Sequence, residues 1–223
     1  MLLDPEPWSA ADYGDGCADF YDEIYPQLDA ATLQGLLALA RGGPALDLGA
    51  GTGRALLALA ARGVAVAGVE ASPAMVERLR AKAGGDTIPL VLGDFTHCDL
   101  GGPYRLIFSL VNSFFLLPDP ALQSRALANA ASALAPDGVL ALELYGPFAG
   151  EEQRTVESTH RLDTSLGARL YRVRMRCSSP AELDAMAADA GLVLRERTAD
   201  WRGTRFASPA GRWVSIYARA EPG

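Results

Sequence analysis

Three glycines at alternate positions, Gly49, Gly51 and Gly53, interrupt an apolar, alanine-rich stretch reading ALDLGAGTGR over 45–54. Backbone stripped of side chains at such a point lets a ligand approach to contact distance and leaves the N–H groups of a following helix beside it. The flanks support a strand-to-helix junction: PALDLG (44–49) reads as a buried strand and RALLALAARG (54–63) as a helix ending at Gly63. The same alternation continues to about residue 145, which predicts βαβ units and a mostly parallel sheet. VAVAGVE (64–70) is the second strand, Ser72 caps a helix with Pro73 in its first turn that runs to Gly84, and IPLVLGD (88–94) and RLIFSLV (105–111) are the third and fourth strands. A helix from Pro120 to Leu134 leads through the turn APDG (135–138) into a fifth strand, VLALELY (139–145).

Beyond this core the pattern changes. RTVESTHRLD (154–163) and ARLYRVRMRC (168–177) alternate as an antiparallel hairpin across a Thr-Ser-Leu-Gly turn, so a hairpin insertion is expected over 151–177. Ser179 and Pro180 start a helix, followed by a strand at 192–198 and a closing strand, RWVSIYARA; this final unit covers 180–220, and the EPG tail is expected to fray. Upstream, 12–25 places Cys17, Phe20, Tyr21, Ile24 and Tyr25 at helical spacing, predicting one amphipathic helix over the carboxyl edge or a face of the sheet.

The glycines narrow the ligand. A dinucleotide fingerprint, G-x-G-x-x-G, needs glycine at 54, where this chain has arginine, and a triphosphate loop needs a lysine that is missing here. The formal net charge of −7 opposes binding to a nucleic-acid backbone. Of the 20 basic residues only Lys82 is lysine. No apolar segment reaches the length of a bilayer span, and the first residues lack the basic start of a secretion signal, so no membrane partner and a cytoplasmic location are expected. Cys17, Cys98 and Cys177 are odd in number and widely spaced, which suggests reduced thiols and no metal cluster. At 223 residues the chain suits one domain, working as a monomer or homodimer.

The stretch D-L-G-A-G-T-G, Asp47 to Gly53, resembles the first motif of the class I S-adenosylmethionine-dependent methyltransferases. Glu70 in VEAS, Asp94 and Phe95 in GDF, and LAPDGVLALE (134–143) follow in that family's order. The resemblance implies a Rossmann-like, mostly parallel seven-stranded sheet with an antiparallel last strand, helices on both faces and an N-terminal lid over 1–30. It also implies S-adenosyl-L-methionine as cofactor, S-adenosyl-L-homocysteine as product, and a small-molecule acceptor methylated at nitrogen, oxygen or carbon.

By the same resemblance the cofactor-binding core spans 44–145 and uses Asp47, Gly49, Ala50, Gly51, Glu70, Ala71, Met75, Asp94, Phe95 and Leu110. Glu70 takes both ribose hydroxyls, Asp94 the adenine amine, Phe95 the ring, and Leu110 offers a backbone carbonyl. Asp47 is read either as ordering the turn by accepting backbone N–H groups or as a buried capped acid. Tyr13 and Tyr21, in a segment like the lid of small-molecule members, wall off the donor methyl or else belong to the core.

Methyl transfer is a direct displacement, so alignment and water exclusion suffice and a dedicated base is optional; no catalytic residue is singled out. Asn112, Ser113, Tyr145 and Arg174 are the acceptor-side candidates, with a helix cap as the plain alternative for Asn112 and Ser113. Between 154 and 176 six arginines face Glu157 and Asp163, and Arg172, Arg174 and Arg176 share a strand face by alternation. They either bind an acceptor carboxylate or phosphate or pair with acids elsewhere. His97 and His160 have no orienting motif, and Trp201, Phe206 and Trp213 read as packing. A relative that uses the sulfonium for cyclisation or rearrangement, and a non-catalytic cofactor-binding module, are the rival readings.

Overall fold

The computed structural model describes residues 8–146, 155–165, 167–208 and 210–220. Among the described residues nine strands form two sheets. β1 (Ala45–Leu48), β2 (Val66–Glu70), β3 (Leu90–Leu92), β4 (Tyr104–Ser109), β5 (Leu134–Gly146), β8 (Leu192–Thr198) and β9 (Gly211–Arg219) make a seven-stranded sheet in the order β3-β2-β1-β4-β5-β9-β8. The first five run parallel, and β9 lies antiparallel between β5 and β8. This is the expected Rossmann-like architecture, with β9 as its antiparallel strand.

Alternation in the strands feeds two cores. Leu106 and Phe108 pack with Leu36 and Ala40 of α3 (Ala30–Ala40) and Leu56 and Leu59 of α4 (Arg54–Ala60). Ile107, Leu140, Leu142 and Leu144 pack on the other side with Leu127 and Ala130 of α6 (Pro120–Ala133) and Leu183 of α7 (Pro180–Asp189). α5 (Pro73–Arg80) starts as expected: the Ser72 side chain accepts from Met75 N at 3.1 Å, and Pro73 needs no donor there. At α7 the Ser179 and Glu182 side chains cap reciprocally.

Four local expectations change. The single helix over 12–25 is two short ones, α1 (Asp12–Cys17) and α2 (Tyr21–Ile24), broken where Phe20 leaves helical geometry. Helix α3, capped by Asp29 and ending on Arg41 in the left-handed region, was not anticipated. The fourth strand stops at Ser109, because Val111 and Asn112 turn to positive φ. APDG is part of β5 instead of a turn ahead of it: register passes from Tyr104↔Leu134 to Leu106↔Val139, so the extra residues bulge within the strand.

The hairpin forms its own two-stranded sheet, β6 (Thr155–Thr164) and β7 (Gly167–Arg176), in the predicted antiparallel register. Residues 151–154, Leu166 of the predicted turn and the EPG tail lie outside the described residues. Among the described residues no helix is long and apolar enough to cross a membrane.

Candidate cofactor and acceptor site

The glycine turn follows β1 directly. Gly49 and Ala50 N–H both donate to Val69 O at 2.9 Å, fixing the turn to the end of β2. Gly49, Gly51 and Gly53 all have positive φ, at 89°, 54° and 79°. Space then separates their roles. A β-carbon on Gly53 would lie 2.0 Å from Leu79 Cδ1, so this glycine lets α5 close onto the turn. One on Gly51 would meet only Tyr21 Cε1, at 3.9 Å, and would project into open space.

That space is a cavity of about 360 Å³ at the carboxyl ends of β1 and β2. Its size falls within the several-hundred Å³ of small-molecule and cofactor sites. Ten of the sequence-named residues line it: Tyr13, Tyr21, Gly49, Gly51, Glu70, Ala71, Met75, Asp94, Phe95 and Ser113. Asp47, Ala50 and Leu110 instead line an adjoining recess of about 20 Å³, shared with Tyr21, Arg54 and Val111. Asn112, Tyr145 and Arg174 line neither space.

Glu70 is buried, and its carboxylate bridges the turn and α5: Oε2 accepts from Gly51 N at 2.7 Å and Oε1 from Ser72 N at 2.9 Å. Burial pushes its pKa up, opposed by these backbone donors. A carboxylate has about four acceptor positions, so Glu70 keeps acceptor capacity beyond its backbone donors. Asp47 differs. It is buried, its Oδ1 has no hydrogen-bond partner, and burial together with the nearby Glu70 charge pushes its pKa well up. The expectation that it orders the turn through backbone N–H groups does not hold for that oxygen.

Asp94 Oδ1 accepts from Thr96 N at 2.8 Å, and its Oδ2 lies 3.6 Å from His97 Nδ1. His97 lines the cavity, which its lack of a local motif did not reveal. Arg125 contacts His97 Nε2, and His97 Nδ1 faces Thr96 Oγ1 and Asp94.

The acceptor-side candidates separate. Ser113 Oγ donates to Leu110 O at 3.0 Å, and Ser113 N donates to the same carbonyl at 3.1 Å. Both lone pairs of Leu110 O are thus engaged, and a cofactor contact there would have to displace the Ser113 hydroxyl. Asn112 is a structural clamp: Oδ1 accepts from Tyr145 N at 2.6 Å and Nδ2 donates to Tyr145 O at 3.4 Å. The pairing extends β5 past the end of β4 and holds the left-handed Val111–Asn112 pair, a conformation a β-branched residue rarely adopts. Tyr145 stands half-exposed at the end of β5, near Arg212, which pairs with buried Glu143 at 3.3 Å.

Two arginines of the row are engaged within the protein, while Arg174 Nε is buried with no hydrogen-bond partner. Arg172 pairs with Glu157 at 2.6 Å and lies over the Trp8 ring, while Arg176 is buried against Gln123, Ser178 and Glu182. Arg174 faces Glu157 across the strand pair. Two of the three therefore pair with acids, the second of the two readings. His160 stacks on Tyr171 at 5.2 Å, and Trp213 is buried against Phe115 and Phe206, the packing role expected.

Residues of α1 and α2 line one side of the cavity through Tyr13, Gly14 and Tyr21. Tyr13 and Phe20 pack on Tyr171 of β7 with ring centroids 6.3 and 5.6 Å apart, and Tyr21 lies against Tyr25 at 4.9 Å. Burial raises the pKa of both Tyr13 and Tyr21, keeping them neutral, and pushes the Cys17 thiol up to about 12. At the hairpin tip Ser165 N and Oγ both donate to the Glu23 carboxylate, at 3.0 and 2.6 Å. The hairpin therefore grips the lid. Trp8, Ser9 and Ala10, ahead of α1, Gly14 of α1, Leu116 to Pro118, after β4, and Leu122 of α6 complete the lining. None of these carries a recognisable motif, because they contribute surface instead of charge.

A family model described as a methyltransferase domain matches residues 45–138. No curated protein sequence matches the chain. Among solved structures, the CcbJ methyltransferase from Streptomyces caelestis is 32% identical with a TM-score of 0.85, the match covering 96% of this chain and 100% of that one. An S-adenosylmethionine-dependent methyltransferase from Clostridium acetobutylicum is 12% identical with a TM-score of 0.73, covering 91% and 97%. The sugar N-methyltransferase KedS8 from a Streptoalloteichus species is 21% identical with a TM-score of 0.70, covering 99% and 100%. The last two share the fold.

Proposed function

This chain belongs to the class I S-adenosylmethionine-dependent methyltransferases, and from that membership we propose that its cavity holds the methyl donor while a small-molecule acceptor reaches the methyl beneath the lid. One juxtaposition carries the reading: a side-chain-free Gly51, a buried Glu70 with acceptor capacity to spare, Asp94 with Phe95, and the lid tyrosines all line the same cavity.

The residues suit the donor. Glu70 accepts from the two ribose hydroxyls with the capacity its backbone bonds leave, a charge-assisted pair stronger than neutral ones. Asp94 accepts from the adenine amine and Phe95 packs on the ring. The unpartnered Asp47 oxygen in the side recess matches a cationic group at the amino-acid end. When bound, the donor supplies an electrophilic methyl on a sulfonium sulfur. The chain contributes alignment and dryness: Tyr13 and Tyr21, neutral and desolvated, exclude water from the reacting centre, and Ser113 offers a hydroxyl at the base of the acceptor approach.

KedS8 is a sugar N-methyltransferase, CalS10 an amino pentose methyltransferase and MtfA a glycopeptide N-methyltransferase. Amines on sugars and glycopeptides therefore head the acceptor panel. The test pairs calorimetry with turnover using labelled donor. Glu70→Ala is expected to weaken donor binding by about 1 to 3 kcal/mol, roughly 5- to 150-fold. Label must appear in at least one acceptor. Tight donor binding with no transfer across a broad panel would favour a non-catalytic module, and conversion of an acceptor without label would favour a rearrangement.

A further inference from the structure

Resting on the reading that the cavity holds the donor, we propose that Lys82 is a positioning residue: through Asp22 and the Thr52 carbonyl it latches the lid to the glycine turn and so sets how fast donor and product exchange.

Asp15, Asp19 and Asp22 recur along one side of the lid and meet α5 in sequence. Asp15 Oδ1 accepts from Ser72 Oγ at 2.5 Å and from Ala74 N at 3.4 Å, and Asp19 pairs with Arg78. These two fasten the lid to α5 alone. The third reaches further. Lys82 Nζ donates to Asp22 Oδ1 at 2.9 Å and to Thr52 O at 2.8 Å, and lies 2.8 Å from Asp22 Oδ2. Thr52 Oγ1 in turn donates to Asp22 Oδ1 at 2.6 Å. Thr52 is buried within the glycine turn, one residue from Gly51.

Asp22 directly follows Tyr21, the side chain whose ring edge faces the bare Cα of Gly51. The latch thus ties the neighbour of the covering tyrosine to the neighbour of the covered glycine. A compact ammonium with three donors suits this three-point contact, and a planar guanidinium does not. For a ligand to leave beneath Tyr21, Asp22 must part from Thr52. An exposed ion pair alone would contribute little, but here the cation also bonds a backbone carbonyl of the turn itself.

Lys82 is the only lysine in the chain, so its amine can be followed without substitution. S-adenosylhomocysteine binding to the wild-type protein is measured first by calorimetry. Lys82 acylation by an amine-reactive ester is then read by peptide mass spectrometry with and without that saturating product, and is expected to slow several-fold when the product is bound. In parallel, Lys82→Met is expected to speed product dissociation and raise the donor KM by about 5- to 20-fold, between an exposed pair and a charged hydrogen bond, with kcat unchanged or higher. Binding with equal Lys82 labelling in both states would overturn the latch while leaving the site reading intact, as would a folded Lys82→Met protein with a wild-type dissociation rate. Absence of any binding by the wild-type protein would remove the site reading and the latch together. Should Lys82→Met fail to fold, the labelling comparison decides.

Discussion

Asp47 and Glu70 are buried acids on neighbouring strands with opposite surroundings. Glu70 spends its charge on two backbone donors, whereas Asp47 Oδ1 has none. Burial raises the pKa of Asp47, so between about 4, the ordinary aspartate value, and its raised value the folded chain holds a proton that the unfolded chain has released. Stability therefore falls as pH rises through that window, because the unfolded state binds fewer protons. Asp47→Asn is expected to flatten this slope in urea unfolding measured from pH 4 to 8; an unchanged slope would contradict it. Glu70 and Glu143 carry the same sign, so part of the dependence survives. Both acids were visible in the sequence because each closes a strand beside a turn. Their difference was not, since it depends on whether an N–H from another segment arrives. Asn112 makes the same point: a polar residue at a strand end marks the neighbourhood of a site, while its actual partner, the backbone of Tyr145, lies 33 residues away.

Helices α1 and α2 have six and four residues, too short to persist without tertiary contacts. They are held by burial of Cys17, Ala18 and Phe20 with Met75, by Asp15 and Asp19 bonding to the start and face of α5, and by a close crossing at Gly14. A β-carbon on Gly14 would lie 2.4 Å from Ser72 Cβ. Gly14→Ala is accordingly expected to lift the lid, with an overpacking cost of about 1 to 3 kcal/mol. Limited proteolysis should then cut between 12 and 25 faster than in the wild type, and donor KM should rise; wild-type cleavage would show that the crossing has slack. Helical spacing of aromatics revealed that this segment was amphipathic but not that it breaks, since the break at Phe20 answers to the surface beneath. The hairpin was read correctly from alternation alone, because a period of two with a short turn specifies its own partner. Helix α3 has little signature in the sequence beyond its Asp29 cap, because its leucines sit among alanine and glycine without a clear polar face.

Strand β9 lies between β5 and β8, so β8 joins the sheet only through it. Trp213 on that strand is 1% exposed and joins Phe115, from the segment after β4, to the core. Trp213→Ala is expected to cost about 3 to 5 kcal/mol, lowering Tm by roughly 6 to 20 °C for a chain of this length. Calorimetric melting checks it, and a loss under 1 kcal/mol would mean that β9 is not a keystone of the sheet. The alternating strands and helices, the glycine turn and the acids at strand ends could be read directly, because backbone conformation and hydrophobic period are local properties that neighbouring residues dictate. The family resemblance named Tyr13, Tyr21 and most of the lining, but not the contacts that assemble it. The packing of Tyr13 on Tyr171, the clamp of Asn112 on Tyr145 and the Lys82 latch each join residues tens of positions apart, and only tertiary packing brings such groups together.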